Sequence, residues 1–340
     1  MITSGYVTLA GFLAALQLAA ALWAMVVGLR NLAARPTADD EVAERLEGRT
    51  YLAGLLGYLL LGTSLASWFV LYLLLDSFVP QWKGAMCIYG VTQIGEGSRG
   101  IYHWLPRLVL AEQALKPLLI FATGAALVLY RFYRRLGTRT LLPRVAGALF
   151  LAALLASLDA GVELGYLAIP KRESLPSSGC CSVSTAMNER TPLPGPDEQQ
   201  RLEVAYYGCQ ALLAALVLQS VITTGSVFGL GRILALLALA AVAVGVSMPF
   251  LIHVAAPALL HLPYHHCIYD LVLRVPESGV ALLLLFWGTC CVGWAGVIAV
   301  TGRCAESAAE LRGEVRRWLC YSLVGYLGSM VMLSLDLWLA

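Results

Sequence analysis

The chain alternates between long apolar runs and shorter polar connections. Eight runs, at 5–29, 51–75, 107–130, 145–168, 203–225, 232–256, 278–301 and 318–339, are each long enough to cross about 30 Å of hydrocarbon as a helix. Charge, proline and glycine gather in the connections, 30–50, 76–106, 131–144, 169–202, 226–231, 257–277 and 302–317. The pattern predicts an all-α, polytopic integral membrane protein with about eight transmembrane helices.

Composition sharpens this. With 59% hydrophobic and 13% charged residues in 340, the sequence is not that of an ordinary soluble domain. A net charge of +2 without any Lys/Arg-rich tract excludes nucleic acid as a partner, and the bilayer is the partner the sequence does imply. Counting Arg232 and Arg107 at the edges of their runs, fourteen Lys and Arg belong to the connections after runs one, three, five and seven, and eight to the other, longer set. The positive-inside bias then makes the first set cytoplasmic. Both termini and the three longest loops are expected on the extracytoplasmic side of a bacterial inner membrane. The opening MITSGY lacks the positive start of a signal peptide, so the first run reads as a retained span. Residues 37–50 and 305–317 are charged and helix-prone, consistent with solvated helical extensions, and neither carries a phosphate-binding glycine loop.

One tripeptide occurs twice, as Cys87-Ile88-Tyr89 and Cys267-Ile268-Tyr269, each time after the second run of a group of four. A division into a first half (1–168), a Cys-containing linker loop (169–202) and a second half (203–340) follows. Four spans return the chain to the side it started from, so two parallel four-helix repeats fit this arrangement.

Nine cysteines sort by expected depth. Cys87, Cys180, Cys181 and Cys267 fall in extracytoplasmic loops, an even set that suits disulfides in an oxidising compartment. The repeat suggests Cys87–Cys267 as one pairing. Cys290, Cys291 and Cys320, inside spans, read as small packing residues. For thiol exchange, Cys267 would be the reactive thiol with His265 and His266 as activators. Cys87 would resolve it, and Cys180-Cys181 would serve as a mobile electron carrier, although no Cys-x-x-Cys occurs.

The same residues suit a metal. His265, His266 and Cys267, with Met86 and Cys87, offer imidazole, thiolate and thioether, the donors that favour copper or zinc, and His261 and His103 lie on the same expected face. His253 alone among the histidines falls at membrane depth, where it could be a satisfied core residue, an axial haem ligand or a proton relay.

Charge inside the spans is the remaining signal. Glu112 and Lys116 are four apart on the third run, Asp159 and Glu163 four apart on the fourth. A short connection makes these spans antiparallel neighbours, so an ion-pair network from Lys116 to Asp159 and Glu163 is expected. A proton path or a quinone-site acid is the functional alternative. Pro117, Pro249 and Pro257 are expected to kink spans three and six. No helix broken at matching places in both halves is expected. Trp68, Trp82, Trp104, Trp318 and Trp338 fit interfacial belts.

These observations lead to a membrane subunit of a larger assembly, with membrane or periplasmic partner subunits, whose Cys/His loops carry thiol redox or metal-linked electron transfer. A disulfide-stapled scaffold docking a periplasmic partner and a proton-coupled small-solute transporter are the alternatives.

Overall fold

The computed structural model describes residues 5–33, 40–82, 85, 87–137, 139–171, 195–223, 230–263, 265–302 and 308–340. Among them there is helix and no strand, and eight helices are long and apolar enough to cross a membrane. The protein is a polytopic all-α membrane protein. Large apolar side chains such as Phe12, Trp23, Phe69 and Leu110 lie exposed on the helices, while Gln17, Lys116 and Asp159 are wholly buried. In water that distribution would be costly; with lipid outside, it is the arrangement expected.

Two compact units are present, the first within Met1–Ser178 and the second within Gly179–Arg303 and Ser307–Ala340. In the first, the long helices are α1 (Gly5–Ala33), α2 (Asp40–Phe78), α4 (Leu105–Leu136) and α5 (Leu142–Ala168), with the short α3 (Ile88–Thr92) between α2 and α4. Helix α1 packs on α2 and α5, and α4 packs on α5 and α2. The α4–α5 return is tight because Gly137 takes a left-handed conformation (φ 64°) and donates its N–H to the Tyr133 carbonyl. A single 3₁₀ turn follows, and Pro143 in the first turn of α5 needs no N–H partner there.

In the second unit the long helices are α6 (Pro196–Ile222), α7 (Leu230–Phe250), α10 (Pro276–Thr301) and α11 (Ala308–Leu339), with α8 (Ala256–Leu259) and α9 (Ile268–Arg274) between α7 and α10. Helix α6 packs on α7 and α11, and α10 packs on α11 and α7. Each unit is thus a ring of four helices in which sequence neighbours touch and the fourth closes on the first. Cys87 precedes α3 as its N-cap and Cys267 precedes α9 as its N-cap, both buried and both extended in backbone. The repeated tripeptide therefore occupies one structural position in each unit, opening a short helix at the loop end between the second and third long helices.

The sixth span is interrupted between the two prolines expected to kink it. Residues Leu251–Ala255 form a π turn between α7 and α8, flanked by Pro249 and Pro257. The Ala256 N–H reaches the Leu251 carbonyl, five residues back. The next donor in that register would be Pro257, which has no N–H, so the Ile252 carbonyl is released from the helix. Elsewhere, α2 and α11 begin within the charged stretches 40–50 and 308–317, as helical extensions of their spans. Trp82 is not a belt residue: it is buried, with its ring edge against Phe78 at 5.4 Å between centroids.

Helices α10 and α11 approach closely through Gly288 and Gly325. A Cβ on Gly325 would lie 2.8 Å from the Gly288 backbone and 2.8 Å from the Leu284 carbonyl oxygen. Small residues let backbones meet in this way inside membranes. Gly325→Ala should therefore push the pair apart and lower stability by about 1–3 kcal/mol, read as earlier thermal unfolding in detergent, whereas Gly313→Ala, with open space around it, should not.

Candidate functional site

In the first unit, polar side chains converge on the Lys116 ammonium. Lys116 lies eleven residues into α4, about 17 Å along its axis, where water is scarce. Its Nζ donates to Glu163 Oε2 at 2.7 Å, to Asp159 Oδ2 at 3.2 Å and to Ser67 Oγ at 2.7 Å. Ser67 in turn donates to Glu163 Oε2 at 2.7 Å, and Gln17 Nε2 donates to Asp159 Oδ2 at 2.8 Å. All four long helices thus contribute to one buried network. Asp159 and Glu163 reach the same ammonium because a spacing of four puts them on one face of α5. Glu112, one turn before Lys116, is also fully buried, yet neither carboxyl oxygen accepts a hydrogen bond.

The network approaches the loop end through Lys171, just past α5. Its ammonium caps that helix, donating to the carbonyls of Tyr166 at 2.8 Å and Ile169 at 3.3 Å, and lies 4.0 Å from the centre of the Tyr166 ring. Burial pushes the Lys171 pKa down to about 8, with Glu112 opposing the shift.

In the second unit, the chain leaving α8 turns back so that His265 and His266 meet the π turn. His266 Nδ1 hydrogen-bonds the Ile252 carbonyl at 3.0 Å, the carbonyl that Pro257 released. A carbonyl only accepts, so Nδ1 carries the proton and Nε2 presents a lone pair; that Nε2 is buried with no partner. The His253 ring, on the π turn itself, lies 5.4 Å from the His266 ring between centroids, and its Nδ1 is likewise buried without a partner. Beside them, His265 Nε2 pairs with Asp270 Oδ2 at 2.6 Å. The Asp270 carboxylate and the Cys267 sulfur lie within 4.8 Å of each other.

Of the residues singled out from sequence, the structure thus groups Glu112, Lys116, Asp159 and Glu163 in one unit and His253, His265, His266 and Cys267 in the other. His261 does not join the latter: it sits exposed on a turn with φ 53°. His103 belongs to the first unit, where its Nδ1 bonds the Gly100 carbonyl of its own turn. Cys209, Cys290, Cys291 and Cys320 are thiols. Cys290 and Cys291 are buried, but Cys320 is exposed on α11 rather than packed inside. Met86, Cys180, Cys181 and Cys304 lie outside the described residues. Gln17, Ser67 and Asp270 were not anticipated. The first had a signal, being the one amide in an otherwise apolar run; Ser67 and Asp270 had none beyond their polarity.

No known protein family matches the chain, and neither a curated protein nor a solved structure is similar to it.

Lys116→Met should leave two carboxylates in the bundle without their counter-charge. It should cost roughly 3–5 kcal/mol, read as loss of the folded protein on detergent size exclusion. Lys171 should acylate with a rate that climbs through about pH 8 rather than 10.5, because its amine turns neutral and nucleophilic above its lowered pKa. Peptide mapping against pH checks this.

Proposed function

We propose that this protein is a metal-binding subunit of a bacterial inner-membrane assembly, holding copper or zinc on its extracytoplasmic side through His253 and His266. One observation carries the reading: the Ile252 carbonyl fixes the His266 tautomer so that a buried lone pair on Nε2 has no other use. Metal-bound histidines are commonly oriented by such a hydrogen bond from the opposite ring nitrogen. The ring spacing agrees. Two imidazoles on one tetrahedral ion, with metal–nitrogen bonds of about 2.0 Å, hold their centroids roughly 5.2 Å apart. The observed 5.4 Å is close to this. A haem with two axial imidazoles would keep them on opposite faces of its iron, farther apart than this. His265 and Cys267 flank His266 in the chain, and His265 is a carboxylate-polarised imidazole through Asp270. The orientation rests on the Lys/Arg bias of the connections.

A second reading, the disulfide-stapled scaffold, is favoured by Cys87, whose sulfur is disulfide-bonded. A staple at that loop is compatible with a metal on the other unit.

Purified protein titrated with Cu(I) or Zn(II) should take up about one tightly held ion per chain. His266→Ala and His253→Ala should each weaken uptake at least about tenfold, and His261→Ala should not. Equal loss in all three variants, or no uptake by the unaltered protein, overturns the reading. Reduction of the Cys87 disulfide should leave uptake unchanged; loss of the fold on reduction, with no metal bound at any stage, would favour the scaffold.

A further inference from the structure

The metal reading leaves the first unit's interior without a role. Its charges do not balance. Three carboxyl groups, Glu112, Asp159 and Glu163, are gathered about one ammonium, and all four side chains are 2% exposed or less. Asp159 and Glu163 share the donors: Lys116, Ser67 and Gln17. Glu112 has none, on either oxygen. An ionised carboxylate stripped of water and of every donor is among the most expensive groups a protein can bury, and a proton on the oxygen removes that cost.

We propose that Glu112 is a proton-binding site of the first unit, loaded and unloaded from the loop end past Lys171, with Lys116 as the fixed counter-charge paired to Asp159 and Glu163. Position supports exchange. Glu112 is seven residues into α4, about 10 Å from its start, shallower than Lys116. The charged groups that act on it are Lys116 on its own helix, Glu163 and Asp159 on α5, and Lys171 beyond α5; the Tyr166 phenol on α5 also feels it. Among these only Lys171 lies past the end of a span, where its amine can pass a proton between the loop end and the interior. Protonation leaves the cluster with one net negative charge and deprotonation with two. Proton occupancy of Glu112 therefore changes the field on the Lys116 network, which joins all four helices. That is how an acid in a membrane bundle couples proton movement to helix packing. The transporter alternative needs such a group, and so would a subunit that relays protons within a respiratory assembly; both share this proton site.

Dicyclohexylcarbodiimide tests it, because the reagent enters the bilayer and reacts with protonated carboxyls. The acid adds across the reagent's C=N bond, and the acylurea that results retains every atom of both. In membranes at neutral pH, peptide mapping should find the adduct on Glu112 and not on Asp159 or Glu163. It should diminish as the pH is raised and be absent from Glu112→Gln. Glu112→Asp, should the glutamine variant misfold, must still be labelled. No adduct on Glu112, an adduct spread equally over the three acids, or labelling indifferent to pH overturns the proposal. His266→Ala should label normally, so this result and the metal result stand or fall separately.

Discussion

A helix bundle in lipid has no water to spare for its interior, so every polar group there must be answered by another part of the protein. The Lys116 ammonium is where that constraint bears hardest. Its three donor hydrogens are met by side chains from two other helices, and Gln17 completes the set from the remaining one. Such a hub fixes the rotation of each helix about its own axis, because a turn of one residue would swing a charge toward lipid. The packing of α1 on α5 and of α2 on α4 follows from that rotation as much as from apolar fit. By contrast, the corresponding core of the second unit is stacked aromatic, with Tyr206 on Phe250 at 4.1 Å, and neutral polar, with Gln210 donating to Ser247. One helix arrangement has therefore been filled with different interiors.

The same constraint identifies the exceptions. Among the buried side-chain atoms that lack a partner are both oxygens of Glu112, Oε1 of Glu163 and a ring nitrogen each of His253 and His266; of these carboxyls only Glu112 is unmet on both oxygens. Unmet demand of this kind costs stability, and a protein retains it where something else supplies the missing partner. For the histidines that partner is proposed to be a metal ion; for the glutamate it is a proton. Each follows from what the local chain leaves unsatisfied, the one through Pro257 and the π turn, the other through the donors already committed to Asp159 and Glu163.

Much of this was legible in the sequence. The eight spans are a matter of composition and length, which is why hydropathy finds them. The Lys116 pairs were legible because i,i+4 spacing and a short α4–α5 connection leave few alternatives. The partners Gln17 and Ser67 were not, since which face of α1 or α2 turns inward is decided by packing across some 140 or 100 residues of chain. Nor was the π turn, because hydropathy is blind to hydrogen-bond register; Pro249 and Pro257 signalled a disturbance but not its form. His253 and His266 were each noted, but their meeting depends on the reversal after α8. Trp82 and Cys320 went the opposite way to expectation, one inward and one outward, because helix rotation rather than depth decides the exposure of a single residue.

The most direct measurement is X-ray absorption of the purified, metal-loaded protein. Two imidazoles on one ion predict a nitrogen shell at about 2.0 Å with the multiple-scattering pattern of histidine rings, reduced in His266→Ala. A shell of oxygen alone, without histidine scattering, would contradict the claim that these orphaned ring nitrogens exist to hold a metal.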